Sequence, residues 1–232
     1  LVCKRITEII SQHCRTHYNT QESKGNGPPS VTFGVKLAPY FDKPHFREAV
    51  NIILKYPQIH FITTCNTIGN ALFIDSESEC VSIQGKGGFG GIGGGFIKPI
   101  ALANIRTISS LLEEAGRIDV KVIGVGGIAT GDDAFQAILC GASAVQIGTC
   151  HWTEGPTCFD RISAELEAIM QRKGYSSIED FRGQLQSYVQ HKPKPGLTKK
   201  SAAALQDKGG GTGGHLILGI ATCDTLMMVA LM

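Results

Sequence analysis

Charge is scarce in this 232-residue chain. Lys, Arg, Asp and Glu make up 18% of it, and the formal net charge is only +2. That balance argues against a dedicated nucleic-acid surface, which needs clustered Lys and Arg. The eight cysteines form no CxxC pair and no regular spacing. Cys3, Cys65, Cys140, Cys150 and Cys158 lie in or beside apolar runs and read as small buried hydrophobes. No disulfide framework is expected, and the compartment reads as reducing, the cytosol. His45, His60 and His151 lack metal-ligand spacing with cysteine or carboxylate, and no Ser–His–Asp arrangement emerges. Leu1 starts directly in a helical pattern, and no signal peptide is expected. Its one apolar end, His215 to Met232, contains Asp224 and is short of the about 20 apolar residues that a membrane span needs. A buried element or a non-native tail is the better reading of it.

What is present is a regular alternation. Hydrophobic residues reach 42%, enough for a sizeable core. Val31 to Lys36, Ile59 to Thr64, Val120 to Gly124 and Ala144 to Gly148 read as buried strands. Helices follow them. Pro44 opens one whose Phe46, Ala49, Val50, Ile53 and Leu54 form a stripe. Another runs from about Ala101 to Glu114. A third carries Ala134, Phe135, Ile138 and Leu139 and stops at Gly141. Pro156 to Lys173 turns Phe159, Ile162, Leu166, Ile169 and Met170 inward. Such alternation predicts a parallel sheet covered on both faces. Ala71 to Asp75 and Cys80 to Ile83 read as a small inserted hairpin. Val2, Ile6, Ile9 and Ile10 make 1–14 a helix that begins without Met, so the expectation is a chain missing its front. Residues 15–30 read as a surface loop, and 187–232, rich in Lys, Pro and then Gly, as loosely ordered.

Two strand ends carry glycine clusters: Gly124 to Ile128, and Gln146 to Thr149. Glycine lets backbone N–H groups approach an anion without Cβ obstruction. In (β/α)8 barrels the loops after the last two strands hold phosphate. The alternative is a pair of tight turns with no ligand. Phe89 to Gly95 is a further glycine-rich stretch, either a ligand-approaching loop or a linker. Lys36 ends a strand and either meets an anion or snorkels to solvent. Asn66 follows the next strand and either addresses a polar ring through its carboxamide or makes an Asn turn.

The segments Gly34 to Asp42, Asn66 to Asn70, Gly88 to Gly94, Lys98-Pro99 and Ala101 to Asn104 together resemble class 1A dihydroorotate dehydrogenase. So do Asp133 to Phe135, Leu139 to Ser143, Glu154 to Pro156, Lys173 to Tyr175 and Phe181 to Gly183. The resemblance runs from about Phe33 to Gln186. It implies an α/β fold, an FMN-dependent (β/α)8 TIM barrel. Here only the second half is expected, about four βα units across 31–186, with the helix 1–14 before it and a non-family tail after it. It further implies a cytosolic homodimer that oxidises dihydroorotate to orotate and passes electrons to fumarate.

By position, the resemblance implies that Lys36 contacts the flavin ring, that Cys65 lies beside it, and that Asn66 and Thr67 bind substrate. Gly94 and Gly95 would border the FMN cofactor, and Gly126, Gly127, Gly148 and Thr149 would hold its phosphate. The family's catalytic cysteine belongs upstream of Leu1, so this chain alone is expected to be inactive. Cys65 stands where the family more often has an aliphatic residue, Thr67 where it usually has Ser, and Gln84-Gly85 where it usually has Lys-Pro. Two alternatives stand beside the enzyme: a non-catalytic FMN-binding or dimerising half barrel, and a dihydropyrimidine dehydrogenase-like barrel. The spacing of Asn66–Asn70 and Phe89–Gly94 disfavours the latter.

Overall fold

The computed structural model of the chain describes residues 33–57 and 59–187. The expected helix 1–14 with its Cys3, the loop 15–30, the first two residues of the strand beginning at Val31 and all of 188–232 lie outside the described residues.

A parallel sheet holds the fold together. Its strands are β1 (Phe33–Lys36), β2 (Ile59–Thr64), β7 (Lys121–Val125) and β8 (Ala144–Gln146), in the order β1-β2-β7-β8. Val35 pairs with Ile62, Ile62 with Val122, and Gly124 with Val145. Three parallel ladders thus hold the four strands in register beneath the helices.

Each connection returns through a helix, as parallel pairing requires. Helix α1 (Lys43–Ile53) begins at Asp42, whose side chain accepts the His45 N–H, and Pro44 occupies its first turn. Helix α2 (Lys98–Glu114) is longer than expected because a 3-10 turn, Gly94–Ile97, leads straight into it. Helix α3 (Gly131–Leu139) starts with a capping box of Thr130 and Asp133. After β8 comes a short helix, α4 (Thr149–Glu154), and then α5 (Thr157–Lys173), which ends at Gly174 in the left-handed conformation. Nothing in the sequence separates α4 from the strand end before it, because Thr149 follows directly on Gly148.

The core is where the helical stripes meet one face of the sheet. Val50, Ile53, Ile62, Ile105, Ile108, Val122, Ile138, Val145 and Ile162 are all buried together. Burying each such side chain contributes roughly 1.5–3 kcal/mol. Gly124 shows how tight the packing is. A Cβ there would stand 2.7 Å from Ile105 Cδ1 and 3.3 Å from the Ala142 Cβ. Coverage of both sheet faces, however, is not what the structure has. In β7, Val122 and Gly124 are buried while Ile123 and Val125 on the other face are only half-buried. Among the described residues the sheet does not close on itself, and that second face is covered only in part: Thr63 and Gln146, which pair with Ile123 and Val125, are buried.

The segment between β2 and α2 also differs from expectation. β3 (Ile68–Leu72) pairs antiparallel with β6 (Phe89–Ile92), so most of the glycine-rich stretch is strand. The hairpin is shorter than read, joining β4 (Ile74–Asp75) to β5 (Cys80–Val81). Glycine hid β6, since it carries no apolar alternation. It is there because Cβ atoms at Gly90 and Gly91 would stand 2.6 Å from Ile83 Cδ1 and 2.3 Å from Thr67 Oγ1. No helix among the described residues is long and apolar enough to cross a membrane.

Candidate functional site

The parallel strands all end on one rim, and backbone bonds lace those ends together. Leu37 N–H donates to Thr63 O at 2.9 Å, Asn66 N–H to Leu37 O at 2.9 Å, and Cys65 N–H to Val125 O at 3.1 Å. The residues after β1, β2 and β7 are therefore fixed relative to one another. Loops at this rim are where parallel α/β sheets place their ligands.

Four segments converge there. A Cβ at Gly93 would lie 3.5 Å from Thr67 Cγ2 and 4.0 Å from Thr149 Oγ1. One at Gly94 would lie 3.5 Å from the Thr149 side chain, and one at Gly127 would be 3.1 Å from Gly94 O. Thr67, Gly93–Gly94, Gly127 and Thr149 thus meet at one place, although they follow β2, β6, β7 and β8.

The glycines there divide into two kinds. Gly126 and Gly127 have φ of +127° and +74°, and their Cβ atoms would come within 2.8 Å of Ala101 Cβ and 2.5 Å of Lys98 Cβ. They are glycine because the β7 turn lies directly on the first turn of α2. Gly95 and Gly148 are the opposite case, since a Cβ on either meets nothing within 4 Å. Their backbones face open space, as a ligand cradle requires.

The turn after β7 is held from below by a charged pair. Asp133 accepts from Ala129 N–H at 3.0 Å, Thr130 N–H at 2.8 Å and Thr130 Oγ1 at 2.9 Å, and pairs with Lys98 Nζ. Burial alone would push the Asp133 carboxyl up. The Lys98 hydrogen bond and the donors from Ala129 and Thr130 outweigh it, and the group titrates below the usual carboxylate value.

Of the residues read from sequence, Cys65 is buried against Ile97 and Ala101. Burial pushes its thiol up to about 11, with the nearby Lys36 charge opposing. It is protonated at neutral pH and unsuited to act as a base. Lys36 is exposed, so its ammonium reaches solvent while its charge is felt at Cys65. Asn66 is also exposed, and its Oδ1 accepts the N–H of the next residue, Thr67, at 2.9 Å. Among the described residues no cluster of His, Cys, Asp and Glu is arranged to hold a metal.

Sequence reasoning gave no role to Lys98, Asn104 or Asp133. Asn104 is buried and bridges Tyr40 in the loop after β1 to α2. Thr130 and Asp133 had a legible signal, the capping-box spacing. The partner of Lys98 lies 35 residues away and left none.

A sequence profile for a family described as dihydroorotate dehydrogenase matches residues 3–170. The chain belongs to the dihydroorotate dehydrogenase family. Dihydroorotate dehydrogenase A (fumarate) of Lactococcus lactis subsp. lactis is 54% identical over 154 residues, covering 66% of this chain and 48% of that protein. Dihydroorotate dehydrogenase (fumarate) of Kluyveromyces lactis is also 54% identical, over 66% of this chain and 47% of its own length. The class 1A resemblance is borne out by these relatives. The chain spans about half the length of the curated relatives it matches. Among solved structures, DHODH of Eimeria tenella in complex with ferulenol superposes with a TM-score of 0.53 at 24% identity, covering 70% of this chain and 40% of that one. Its ligand-free form gives 0.52 at 25% identity, over 68% and 40%. The likeness is one of fold.

Proposed function

We propose that this chain forms the cofactor-phosphate side of a cytosolic (β/α)8 dihydroorotate dehydrogenase, which oxidises dihydroorotate to orotate with FMN and passes electrons to fumarate. The observation that carries the proposal is the convergence of Thr67, Gly94, Gly127 and Thr149 on one rim of the parallel sheet. FMN fits the residues present. Gly95 and Gly148 border open space, and the first N–H groups of α4 have no intrahelical acceptor.

When bound, FMN supplies the two-electron acceptor for the oxidation. The chain's own residues bind and orient. Gly126, Gly127, Gly148 and Thr149 hold the phosphate, and Gly94 and Gly95 border the cofactor. Cys65, packed on Ile97 and Ala101, would lie beside the ring as a neutral thiol, and Lys36 would set positive charge near it. Asn66 and Thr67 hold the substrate by carboxamide and hydroxyl.

Titration of the purified chain with FMN and with riboflavin tests this reading. FMN is expected to bind more tightly, and orotate to perturb the visible spectrum of the FMN-loaded chain but not that of an Asn66→Ala variant. Equal or absent binding of the two flavins overturns it.

A second reading, a non-catalytic FMN-binding or dimerising half barrel, draws support from the sheet itself. Among the described residues it has four strands with β1 and β8 as open edges. Leu72, Ile74, Val81 and Phe89 on the small ribbons are exposed, an apolar surface suited to a second copy of the chain. Dihydroorotate-dependent fumarate reduction favours the enzyme. FMN binding by a dimer without turnover favours the module.

A further inference from the structure

Arg161 touches neither the rim nor any residue assigned to it, yet it joins two of the segments that form the rim. Its Nη2 donates to Ala129 O at 3.0 Å, in the loop that carries Gly126 and Gly127. Its Nε and Nη2 grip Glu154 Oε2 at 3.0 and 2.7 Å, and Nη2 also reaches Oε1 at 2.9 Å. Glu154 is the last residue of α4, the helix that begins at Thr149. Arg161 Nη1 donates to Glu165 Oε1 at 2.8 Å, and the other oxygen of that carboxylate accepts the Gly131 N–H at 2.7 Å. The loop after β7 is therefore held at two points, Ala129 O and Gly131 N, from a single helix face. Cys150 Sγ lies inside the same cluster, 3.4 Å from Glu154 Oε1.

Backbone contact also fixes the depth of this cluster. A Cβ at Gly131 would stand 2.4 Å from Leu166 N, so α3 and α5 meet there without a side chain between them. Resting on the reading of the rim as an FMN-phosphate site, we propose that Arg161 is a positioning residue that sets the spacing between Gly126–Gly127 and Gly148–Thr149. Half-exposed ion pairs contribute little to global stability. A planar guanidinium with its donors committed to three acceptor groups does hold geometry, and lysine cannot reproduce that fork.

The test is flavin discrimination. The purified chain, Arg161→Met and Arg161→Lys are titrated with FMN and with riboflavin, which lacks the phosphate, while far-UV circular dichroism and urea unfolding report the fold. Arg161→Met is expected to lower the preference for FMN over riboflavin by about tenfold, the lower end of what groups supporting a bound ion contribute. Riboflavin affinity should stay unchanged, and Arg161→Lys should fall between. A preference unchanged in Arg161→Met overturns the proposal, as does an equal loss of affinity for both flavins. If Arg161→Met does not fold, Glu154→Gln takes its place with the same expected drop, and an unchanged ratio there overturns it equally. A parent chain that binds FMN no better than riboflavin defeats the phosphate-site reading itself, and the proposal with it.

Discussion

Tyr40 and Asn104 hold each other in both directions. Tyr40 N–H donates to Asn104 Oδ1 at 2.9 Å, and Asn104 Nδ2 returns a bond to Tyr40 O at 3.0 Å. The second Nδ2 proton goes to Ile100 O at 2.9 Å, so a side chain that is 1% exposed has its oxygen and both protons engaged. Replacement by leucine keeps the volume and removes three partners at once. Leaving buried backbone groups without partners costs about 1–3 kcal/mol each. Asn104→Leu is expected to lose about 3 kcal/mol of stability by urea unfolding. The loop it anchors begins just after Lys36, so FMN affinity should fall as well.

Gly127 and Gly95 should respond in opposite ways to the same added methyl. At Gly127 the Cβ would stand 2.5 Å from Lys98 Cβ at a φ of +74°. Overpacking and left-handed strain together cost about 2–4 kcal/mol. At Gly95 the methyl meets nothing within 4 Å. Gly127→Ala is expected to lower the unfolding midpoint sharply. Gly95→Ala should leave it unchanged while weakening FMN binding, because the methyl enters the space assigned to the cofactor. A Gly95→Ala chain with parental FMN affinity would remove Gly95 from the site.

The sheet was legible because its strands are apolar and bounded. Ile59 to Thr64 has the same limits in sequence and structure, and the α1 stripe of Phe46, Ala49, Val50 and Ile53 is buried as its spacing requires. What stayed hidden has physical causes. β6 contains two glycines and carries no apolar period, so its pairing with β3 shows only where Ile83 and Thr67 need the room. Lys98 and Asp133 meet across 35 residues, and Arg161 reaches Ala129 across 32, with nothing local to announce either contact. The glycines of the rim were visible as a group, but sequence could not separate those that admit a neighbouring helix from those that face open space.

Thiol chemistry offers a check that involves no ligand. Of the cysteines among the described residues, Cys80 is exposed while Cys65, Cys140, Cys150 and Cys158 are buried. Burial, and then the Glu154 hydrogen bond, push Cys150 up to about 12. Cys65 at about 11 is a thiolate in roughly one molecule per thousand at pH 8. Alkylation of the native chain at pH 8, followed by peptide mass spectrometry, should label Cys80 well before these four. Early labelling of Cys65 would mean that its packing against Ile97 and Ala101 opens in solution.

Asp133 predicts the acid limb of the stability curve. Its carboxyl is lowered from 3.8 in the folded chain: burial raises it, but Lys98, Ala129 and Thr130 outweigh that. A depressed folded-state value means the unfolded chain binds the proton first as pH falls. The contribution of Asp133 is therefore complete above the unfolded value of about 4 and is lost as pH drops through the lower folded value. Asp133→Asn removes the charge partner of Lys98 but keeps one acceptor for the cap. The variant should be less stable than the parent by about 1.5–3 kcal/mol at pH 7, the range for a hydrogen bond to a charged group. That gap should narrow below pH 4. Urea midpoints measured at pH 7, 5, 4 and 3 decide the point. A gap that stays constant across the series would mean that Asp133 acts through cap geometry, with no part for its charge on Lys98.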